Sequence, residues 1–284
     1  MLARSGYPAG VPCWVDVVQP DPEATMAFYR DLFGWDIEVR TPEGVPQRYA
    51  YARLDGLLVG GMGGPSGGEG PSGWTTYVWV DSADETAARV EAEGGRVLAA
   101  PDDIPRAGRM ALCADPFGAV FGLWQAAENR GAELVNAPGS WNFSGLQVAD
   151  PGAAAAFYGE VLGWSSSTLE MGGGQEAWMF RVAGYGEFLA ERDPEIRERQ
   201  AAEQAPEGFA DAVATMSPLA GGGPARWDVT FAVADADAAF ARAAELGARI
   251  VTPPFDTDYT RQGVIEDPQG DQLTLSEYRP PGGW

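Results

Sequence analysis

The order of apolar and polar positions along the chain predicts strands that alternate with single helices. Residues 11–19 form a Val-rich run that predicts a first strand, and Pro20 ends it. Apolar residues then recur at helical spacing over residues 22–33, between Asp21 as the N-cap and Gly34 as the end. Three strand-like runs follow, at residues 36–40, 49–54 and 57–62. The order of these elements predicts a βαβββ unit.

A sequence signature of the first unit returns 129 residues later. The first copy consists of Asp21-Pro22, Phe28-Tyr29 and Gly34-Trp35, and the second consists of Asp150-Pro151, Phe157-Tyr158 and Gly163-Trp164. A more degenerate unit follows each copy and contains an Asp-Pro-x-Gly turn, at residues 115–118 and 267–270. The repeat therefore predicts four βαβββ units arranged as two halves.

The two halves predict two domains, at residues 1–130 and 131–284. The Asp-Pro-x-Gly turns lie 152 residues apart rather than 129, so the second half carries about 23 extra residues. We assign them to a charged helical insertion at about 193–225. Two interpretations of this insertion stay open: a lid that covers a pocket, or a surface excursion without a function.

The composition of the chain argues against several classes of function. The net charge of −22 repels phosphate backbones, and the chain lacks a basic amphipathic or long apolar stretch, so we expect neither nucleic-acid nor membrane binding. Two cysteines are too few for a disulfide framework, which favours a cytoplasmic location. The chain contains no histidine, so Ser-His-Asp catalysis is excluded and a common ligand of catalytic metals is missing.

The four units, the Phe-Tyr helices, the Gly-Trp ends and the Asp-Pro-x-Gly turns together resemble the vicinal oxygen chelate superfamily. That superfamily includes glyoxalase I, extradiol dioxygenases and bleomycin-binding proteins. The resemblance implies an α+β fold in which each pair of βαβββ modules forms an open, curved, barrel-like sheet with the helices outside. It implies the fold more strongly than any one reaction, because this fold hosts several.

In that superfamily the metal ligands come from the first strand of each unit and from the last strand, and they are usually His, Gln or Glu. Counting along the repeated motifs places these positions at Trp14, about Thr75 and Gly122 in the first half, and at Phe143, about Asp228 and Thr274 in the second. Only Asp228 can bind a metal, and one carboxylate does not hold a catalytic transition metal. We therefore expect no metal and no other cofactor.

Side chains alternate along a strand, so residues in phase with these positions should face a cavity in each half. The first predicted cavity contains Trp14, Asp16, Val18, Thr75, Tyr77, Trp79, Val120, Gly122 and Trp124. The second contains Phe143, Gly145, Gln147, Asp228, Thr230, Gln272, Thr274 and Ser276. The aromatic residues of the first cavity favour a flat, partly apolar ligand, with Gly122 leaving space, unless they fill a closed core. The second cavity is more polar and suits hydrogen bonding.

Asp16 and Asp228 are the predicted catalytic acids, and Tyr77 is the predicted proton donor or orienting group. A carboxylate on an apolar wall has a raised pKa, which suits proton transfer. The alternative is a carboxylate paired with an arginine or a peptide N–H; this alternative is favoured for Asp16 and evenly balanced for Asp228. Arg109 and Arg261 precede the matching turns and either meet an anionic substrate or, as we favour, form structural salt bridges.

Two functions follow from this pattern, and both have a small-molecule partner. In the first, the protein is a metal-independent enzyme that holds a flat aromatic molecule, such as a natural product, while an Asp moves a proton during cyclisation, isomerisation or elimination. In the second, it is a non-catalytic binder that sequesters a drug-like molecule, as bleomycin-binding proteins do. We favour the enzyme because two carboxylates are predicted to face the cavities. A structural module without a ligand is the third reading, and a homodimer stays open.

Overall fold

Two eight-stranded mixed sheets form the core of the protein in the computed structural model. The structure describes residues 3–41, 48–65, 72–171, 175–202, 205–219 and 222–279. Strands from residues 12–126 build the first sheet, and strands from residues 141–278 build the second. Neither sheet closes into a barrel, which confirms the predicted α+β fold of open sheets with helices. None of the helices in these residues is long and apolar enough to cross a membrane.

The first sheet has the order β2-β3-β4-β1-β5-β8-β7-β6. Its elements are β1 (Pro12–Val18), α1 (Pro22–Phe33), β2 (Asp36–Val39), β3 (Tyr49–Leu54), β4 (Leu57–Gly63), β5 (Gly73–Trp79), α2 (Ala83–Ala92), β6 (Arg96–Ile104), β7 (Gly108–Ala114) and β8 (Val120–Ala126). The central strands β1 and β5 are antiparallel, and each has a parallel neighbour, β4 and β8 respectively. Two βαβββ units thus share one sheet.

The second sheet repeats this order as β10-β11-β12-β9-β13-β16-β15-β14. Its elements are β9 (Trp141–Val148), α3 (Pro151–Leu162), β10 (Ser165–Met171), β11 (Gln175–Arg181), α4 (Tyr185–Ala190), α5 (Ile196–Ala202), β12 (Ala212–Pro218), β13 (Arg226–Ala232), α6 (Ala236–Glu245), β14 (Arg249–Asp256), β15 (Thr260–Glu266) and β16 (Gln272–Tyr278). The central pair is again antiparallel, between β9 and β13.

The helical insertion lies earlier in the chain than predicted. Helices α4 and α5 and a 3-10 turn at Phe209–Asp211 occupy the connection between β11 and β12. Residues 212–218, which were assigned to the insertion, instead form β12, a core strand parallel to β9. The predicted bounds of 193–225 are therefore wrong at both ends, and residues 203–204 and 220–221 of that range lie outside the described residues. The distance between two matched motifs gives the number of extra residues but not their position, which depends on the pairing of β12 with β9.

The repeated motifs first act locally, by starting and ending the two equivalent helices. The Asp21 carboxylate accepts a hydrogen bond from the Ala24 N–H of α1, at 3.0 Å. Asp150 does the same for α3, at 3.0 Å from Ala153 N. Gly34 ends α1 with a φ of 74°, in the left-handed region where glycine is favoured.

The same motifs also join the two halves. The Tyr29 hydroxyl donates to Asp267 Oδ2 at 2.7 Å, so the Phe-Tyr helix of the first half binds the Asp-Pro-x-Gly turn of the second. The reciprocal contact runs from the Tyr158 hydroxyl to Asp115 Oδ2, at 3.1 Å. All four residues are buried. The sequence signature is therefore an interface signature as well as a folding signature.

Indole N–H groups complete each of these two clusters. Trp74 Nε1 donates to the Tyr29 hydroxyl at 2.8 Å, and Trp227 Nε1 donates to the Tyr158 hydroxyl at 2.9 Å. Between them, Thr76 of β5 and Ser144 of β9 share a buried hydrogen bond of 2.7 Å. The face of each sheet that carries Thr76 or Ser144 thus packs against the other half, and we call it the inner face. The opposite, outer face carries the predicted cavity residues.

Candidate functional site

Strand register places the first set of predicted cavity residues on one outer face. Trp14 of β1 lies opposite Tyr77 of β5, and Asp16 lies opposite Thr75. Tyr77 in turn lies beside Gly122 of β8, and Trp79 lies beside Trp124. Residues that are paired across neighbouring strands point to the same side of a sheet. The predicted alternation therefore agrees with the register in the structure.

Most of this first outer face is closed. Trp14, Tyr77 and Trp124 are only 4%, 4% and 6% exposed, and Thr75 is buried as well. The Trp14 ring meets Tyr51 edge-on, with centroids 5.8 Å apart. The aromatic side chains thus pack on one another, as expected if they fill a core.

The linker between the halves closes one end of the same face. The Asn129 carbonyl accepts a hydrogen bond from Trp124 Nε1 at 2.9 Å. The Asn129 side-chain amide donates to the Tyr51 hydroxyl at 3.3 Å. Asn129 therefore bridges β8 and β3 across the face, and a ligand must enter from elsewhere.

Gly122 does not leave the space that we expected. A Cβ atom at this position would lie 2.0 Å from Cδ1 of Tyr77 and 2.3 Å from its Cε1. The Tyr77 ring therefore occupies the place where a ligating side chain of β8 would start. The expectation of free space at Gly122 is wrong, because the neighbouring strand supplies a large ring that needs a glycine beside it.

Asp16 lies in this aromatic surrounding without a cation. It is 5% exposed; its Oδ2 accepts from the Tyr49 hydroxyl at 3.0 Å, and its Oδ1 has no hydrogen-bond partner among the described residues. Burial raises the pKa of Asp16 to about 6, and the Tyr49 and Tyr77 hydroxyls lower it by less. The favoured expectation of an arginine or peptide partner is wrong for Asp16, since its partners are tyrosines.

Sequence reasoning missed Tyr49, which covers Asp16. The Tyr49 hydroxyl donates to Asp16 and lies 3.3 Å from Trp14 Nε1, from which it accepts. A Cβ at Gly61 of β4 would lie 2.2 Å from this hydroxyl, so the glycine makes room for the ring. A signal was present in the chain: Tyr49 and Tyr51 alternate on β3, and Gly61 and Gly63 alternate opposite them on β4.

The second outer face is more open and more polar. Phe143, Thr230 and Thr274 form one row across β9, β13 and β16. Of the predicted residues on this face, Phe143, Gly145, Gln147, Asp228, Thr230, Gln272 and Thr274 are half-buried, and Ser276 is buried. This face therefore presents hydroxyl and amide groups to solvent, as its sequence predicted.

Asp228 is held by an arginine. Arg226 Nε donates to Asp228 Oδ1 at 2.9 Å, and Arg226 Nη2 donates to Gln147 Oε1 at 2.8 Å. The Gln147 amide also donates to Asp228 Oδ2, which closes a three-residue network. Burial raises the pKa of Asp228, while the charge of Arg226 and both hydrogen bonds lower it. The two predicted acids thus differ: Asp228 has the arginine partner that was expected of Asp16.

The side chains at the superfamily's ligand positions do not fit a divalent metal. Tryptophan, threonine and glycine occupy those of the first half, and the Tyr77 ring fills the space at Gly122. In the second half, Asp228 is the one carboxylate, and Arg226 and Gln147 already bind it. Across the described residues, no three Asp, Glu or Cys side chains come together as a metal site would require.

The other predicted anion contacts are salt bridges. Arg109 Nε lies 2.7 Å from Asp84, and Arg261 Nη2 lies 2.8 Å from Asp237. The favoured structural role of both arginines is confirmed.

The helical insertion is anchored by Arg181, whose guanidinium donates to the carbonyls of Gly208 at 3.1 Å and Glu207 at 3.0 Å. Two shallow surface grooves of about 400 and 470 Å³ run beside this insertion.

Two family models match the chain, one in each half. The model of the Glyoxalase/Bleomycin resistance protein/Dioxygenase superfamily matches residues 13–123. The model of a Glyoxalase-like domain matches residues 144–276. The two matches fall within the two sheets described above.

Curated relatives resemble the chain over nearly its whole length. It is 36% identical over 274 residues to the Mycobacterium tuberculosis protein named "Putative glyoxylase CFP32", covering 95% of each chain. It is 32% identical over 291 residues to "Anthracycline biosynthesis protein DnrV" of Streptomyces peucetius, covering 96% of this chain and 95% of that one. The similar protein DauV of Streptomyces sp. strain C5 is also 32% identical over 291 residues.

Solved structures share the fold at low sequence identity. The Mn(II)-bound glyoxalase from Novosphingobium aromaticivorans has a TM-score of 0.57 at 16% identity, covering 95% of this chain and 82% of that one. Homoprotocatechuate 2,3-dioxygenase from Arthrobacter globiformis has a TM-score of 0.58 at 17% identity, covering 97% and 83%. At this identity the likeness extends to the fold alone.

Proposed function

Because the chain belongs to the glyoxalase/bleomycin resistance protein/dioxygenase superfamily, we propose that it is a cytoplasmic, metal-independent member that binds a flat aromatic small molecule and moves a proton on it. One observation carries the proposal: Asp16 is a buried carboxylate without a cation, surrounded by aromatic rings. The reaction class is cyclisation, isomerisation or elimination, since each needs a proton removed from or delivered to carbon or oxygen.

The two carboxylate oxygens of Asp16 would carry out the proton transfer, and their surroundings differ. Oδ2 is held by the Tyr49 hydroxyl, whereas Oδ1 has no partner among the described residues and is available to take or give a proton. With a pKa of about 6, the carboxyl is populated in both protonation states near neutral pH. Tyr77 lies near the same carboxylate and would orient the ligand or stabilise charge that develops on it.

The ligand class follows from the wall around Asp16. Trp14, Tyr51 and Trp124 would form the walls of the site once the Tyr49 ring is displaced, and such walls bind planar, partly apolar molecules. Two relatives carry anthracycline biosynthesis in their names, which supports a polycyclic aromatic ligand for this chain. Since Tyr49 covers Asp16, the ligand reaches the carboxylate by displacing the Tyr49 ring.

The second outer face has a supporting role in this proposal. Its half-buried amides and hydroxyls, including Gln147, Thr230 and Thr274, suit hydrogen bonds to a polar part of a ligand. Asp228 serves there through its network with Arg226 rather than as a proton-transfer group, because Arg226 and Gln147 already bind both of its oxygens, although burial keeps its pKa raised. No step of the proposal passes through a metal, since the residues at the superfamily's ligand positions do not fit one.

The test uses Asp16→Asn with Asp228→Asn as the matched control. Binding of anthracyclines and their planar aglycones is followed by quenching of tryptophan fluorescence, and turnover is followed by chromatography and by solvent-deuterium uptake. We expect Asp16→Asn to keep binding within about threefold and to lose turnover by at least about a hundredfold, while Asp228→Asn keeps turnover at saturating ligand.

Two outcomes would decide against this function. Unchanged turnover in Asp16→Asn would remove Asp16 from the chemistry. Tight binding with no turnover or deuterium uptake in the unmodified protein would instead support a non-catalytic binder of the bleomycin-resistance type. The aromatic wall around Asp16 serves either function, so the turnover measurement is the one that separates them.

A further inference from the structure

Three arginines at the interface between the halves are stacked on aromatic rings. Arg4 Cζ lies 5.2 Å from the Tyr7 ring centroid and 5.8 Å from that of Tyr185 in α4. Its guanidinium is therefore held between a ring of the N-terminal segment and a ring of the insertion. Such contacts fix the position of a guanidinium without neutralising its charge.

The two other arginines flank this one on the surface. Arg130 Cζ lies 5.6 Å from the Trp79 ring, and Arg192 Cζ lies 4.7 Å from the Phe188 ring. Both are exposed, and both reach Ser5: Arg130 Nε donates to its carbonyl at 2.9 Å, and Arg192 Nη2 donates to its hydroxyl at 2.9 Å. We call Arg4, Arg130 and Arg192 the arginine cluster.

The arginine cluster has no carboxylate partner, although the chain carries a net charge of −22. Most other arginines of the chain form ion pairs, whereas none of these three pairs with a carboxylate of the described residues. Among the described residues, the Arg4 side chain donates a hydrogen bond to the Tyr185 hydroxyl alone, at 2.5 Å. Three like charges thus lie around Ser5 without a described carboxylate in salt-bridge contact, which favours the approach of an anion.

Two carboxylates close in sequence to the arginine cluster pair with other arginines. Glu128 pairs with Arg106 at 3.1 Å, although it lies two residues from Arg130. On the insertion, Asp193 follows Arg192 directly in sequence but pairs with Arg199. Glu191 precedes Arg192 directly and is exposed, and it forms no ion pair with Arg192. The donor groups of the arginine cluster are therefore open to an external anion.

We infer that the arginine cluster is an oxyanion-binding site for a carboxylate or phosphate group carried by a small molecule. Arg130 and Arg192 each use one N–H toward Ser5 in the bonds given above and present the rest of a planar donor fork. This geometry suits bidentate binding of an oxyanion, and the rings beneath hold the forks in place. The site goes beyond the proposed reaction at Asp16 and does not depend on it.

The test is isothermal titration calorimetry of the whole protein at constant ionic strength, with inorganic phosphate and with benzoate as separate probes. We expect the double variant Arg130→Gln/Arg192→Gln to bind the preferred probe at least about tenfold more weakly. Arg89→Gln/Arg96→Gln is the matched control, because both arginines are exposed, form no ion pair with the described residues and lose the same two charges. Tighter binding of phosphate assigns the site to phosphate esters, and tighter binding of benzoate assigns it to carboxylates.

Arg130→Lys/Arg192→Lys provides a second measurement, since it keeps both charges and removes the forks. An affinity between those of the unmodified protein and the glutamine variant supports the site. Equal weakening in Arg89→Gln/Arg96→Gln, or the absence of saturable heat with both probes, overturns it. A lower melting temperature of the glutamine variant with unchanged anion affinity also overturns it, because the cluster would then act only as a clamp between the halves.

Discussion

At the scale of single residues, Asp16 and Asp228 show how one side-chain type acquires two characters. Both lie on outer faces, and both are on central strands of their sheets. Asp16 has hydroxyl neighbours and a pKa raised to about 6, whereas Asp228 has Arg226, whose charge opposes the effect of burial. The difference lies in the neighbours, which belong to other strands and are not adjacent in sequence.

The raised pKa of Asp16 predicts the pH dependence of stability. The pKa of the Asp16 carboxyl is higher in the folded than in the unfolded protein. Its contribution to stability is therefore fully present below about pH 4 and is lost as the pH rises through 6. Replacing Asp16 with Asn removes this loss. We expect the free energy of unfolding of Asp16→Asn, relative to that of the unmodified protein, to be larger at pH 8 than at pH 4 by roughly 2–3 kcal/mol.

Urea unfolding at the two pH values measures this difference. Asp84→Asn is the control, because the pKa of Asp84 is lowered by its hydrogen bond with Arg109 and its pH dependence has the opposite sign. A relative stability of Asp16→Asn that does not change between pH 4 and pH 8 would contradict the raised pKa.

Gly122 predicts a second effect at this scale. Gly122→Ala places a methyl group 2.0 Å from the Tyr77 ring and forces the ring or β8 to move. We expect a loss of about 1–3 kcal/mol in the free energy of unfolding, since overpacking of a core has that typical cost. Calorimetry should show a lower melting temperature, whereas Gly152→Ala in α3, where a Cβ meets only an ordinary contact, should leave it unchanged or raise it.

At the scale of elements, the two Phe-Tyr helices carry the contacts between the halves. Tyr158→Phe removes the hydrogen bond that the hydroxyl donates to Asp115 and the one that it accepts from Trp227. Both partners stay buried but lose this hydrogen bond. We expect a loss of about 1–3 kcal/mol in the free energy of unfolding, and a similar loss for Tyr29→Phe at the equivalent contact.

Chemical unfolding of the two single variants and the double variant checks this expectation. The two tyrosine hydroxyls share no hydrogen-bond partner among the described residues and lie in different clusters, so their effects should add. A double variant no less stable than either single variant would show that the two clusters do not contribute separately.

Much of the fold at this scale was predictable from sequence, because its signals are local. Helix α1 begins and ends at the predicted residues 22 and 33, and strand β3 covers the predicted residues 49–54. The position of β12 was not predictable in the same way, because its register depends on β9, far away in sequence. Turn and cap residues mark the ends of elements, whereas strand pairing decides which apolar run belongs to a sheet.

The candidate site was predictable only in part, for the same reason. Alternation along β1, β5 and β8 gave the correct side of the sheet for Trp14, Asp16 and Tyr77. Tyr49 comes from β3, and its contact with Asp16 crosses β4, where Gly61 makes the room. Such a contact joins three strands, and no spacing within one strand reveals it.

At the scale of the whole molecule, the side chains at the superfamily's ligand positions predict that a chelator changes neither stability nor activity. A metal bound only to the native state adds stability, so its removal would lower the melting temperature. Because the described residues offer no such site, we expect dialysis against EDTA to leave the melting temperature within about 1 °C and any proton-transfer activity unchanged. Calorimetry before and after dialysis, with elemental analysis of the same samples, measures this. Stoichiometric metal whose removal lowers the melting temperature would contradict the expectation.

The exchanged contacts between Tyr29 and Asp267 and between Tyr158 and Asp115 have the form of a two-fold dimer, in which each subunit gives the other the same pair. A single module that paired with its own copy would make both contacts from one gene. With both copies on one chain, each half can change separately while the contacts between them are kept. The shared contacts are alike in the two halves, whereas the outer faces differ: one carries aromatic rings and the other amides and hydroxyls.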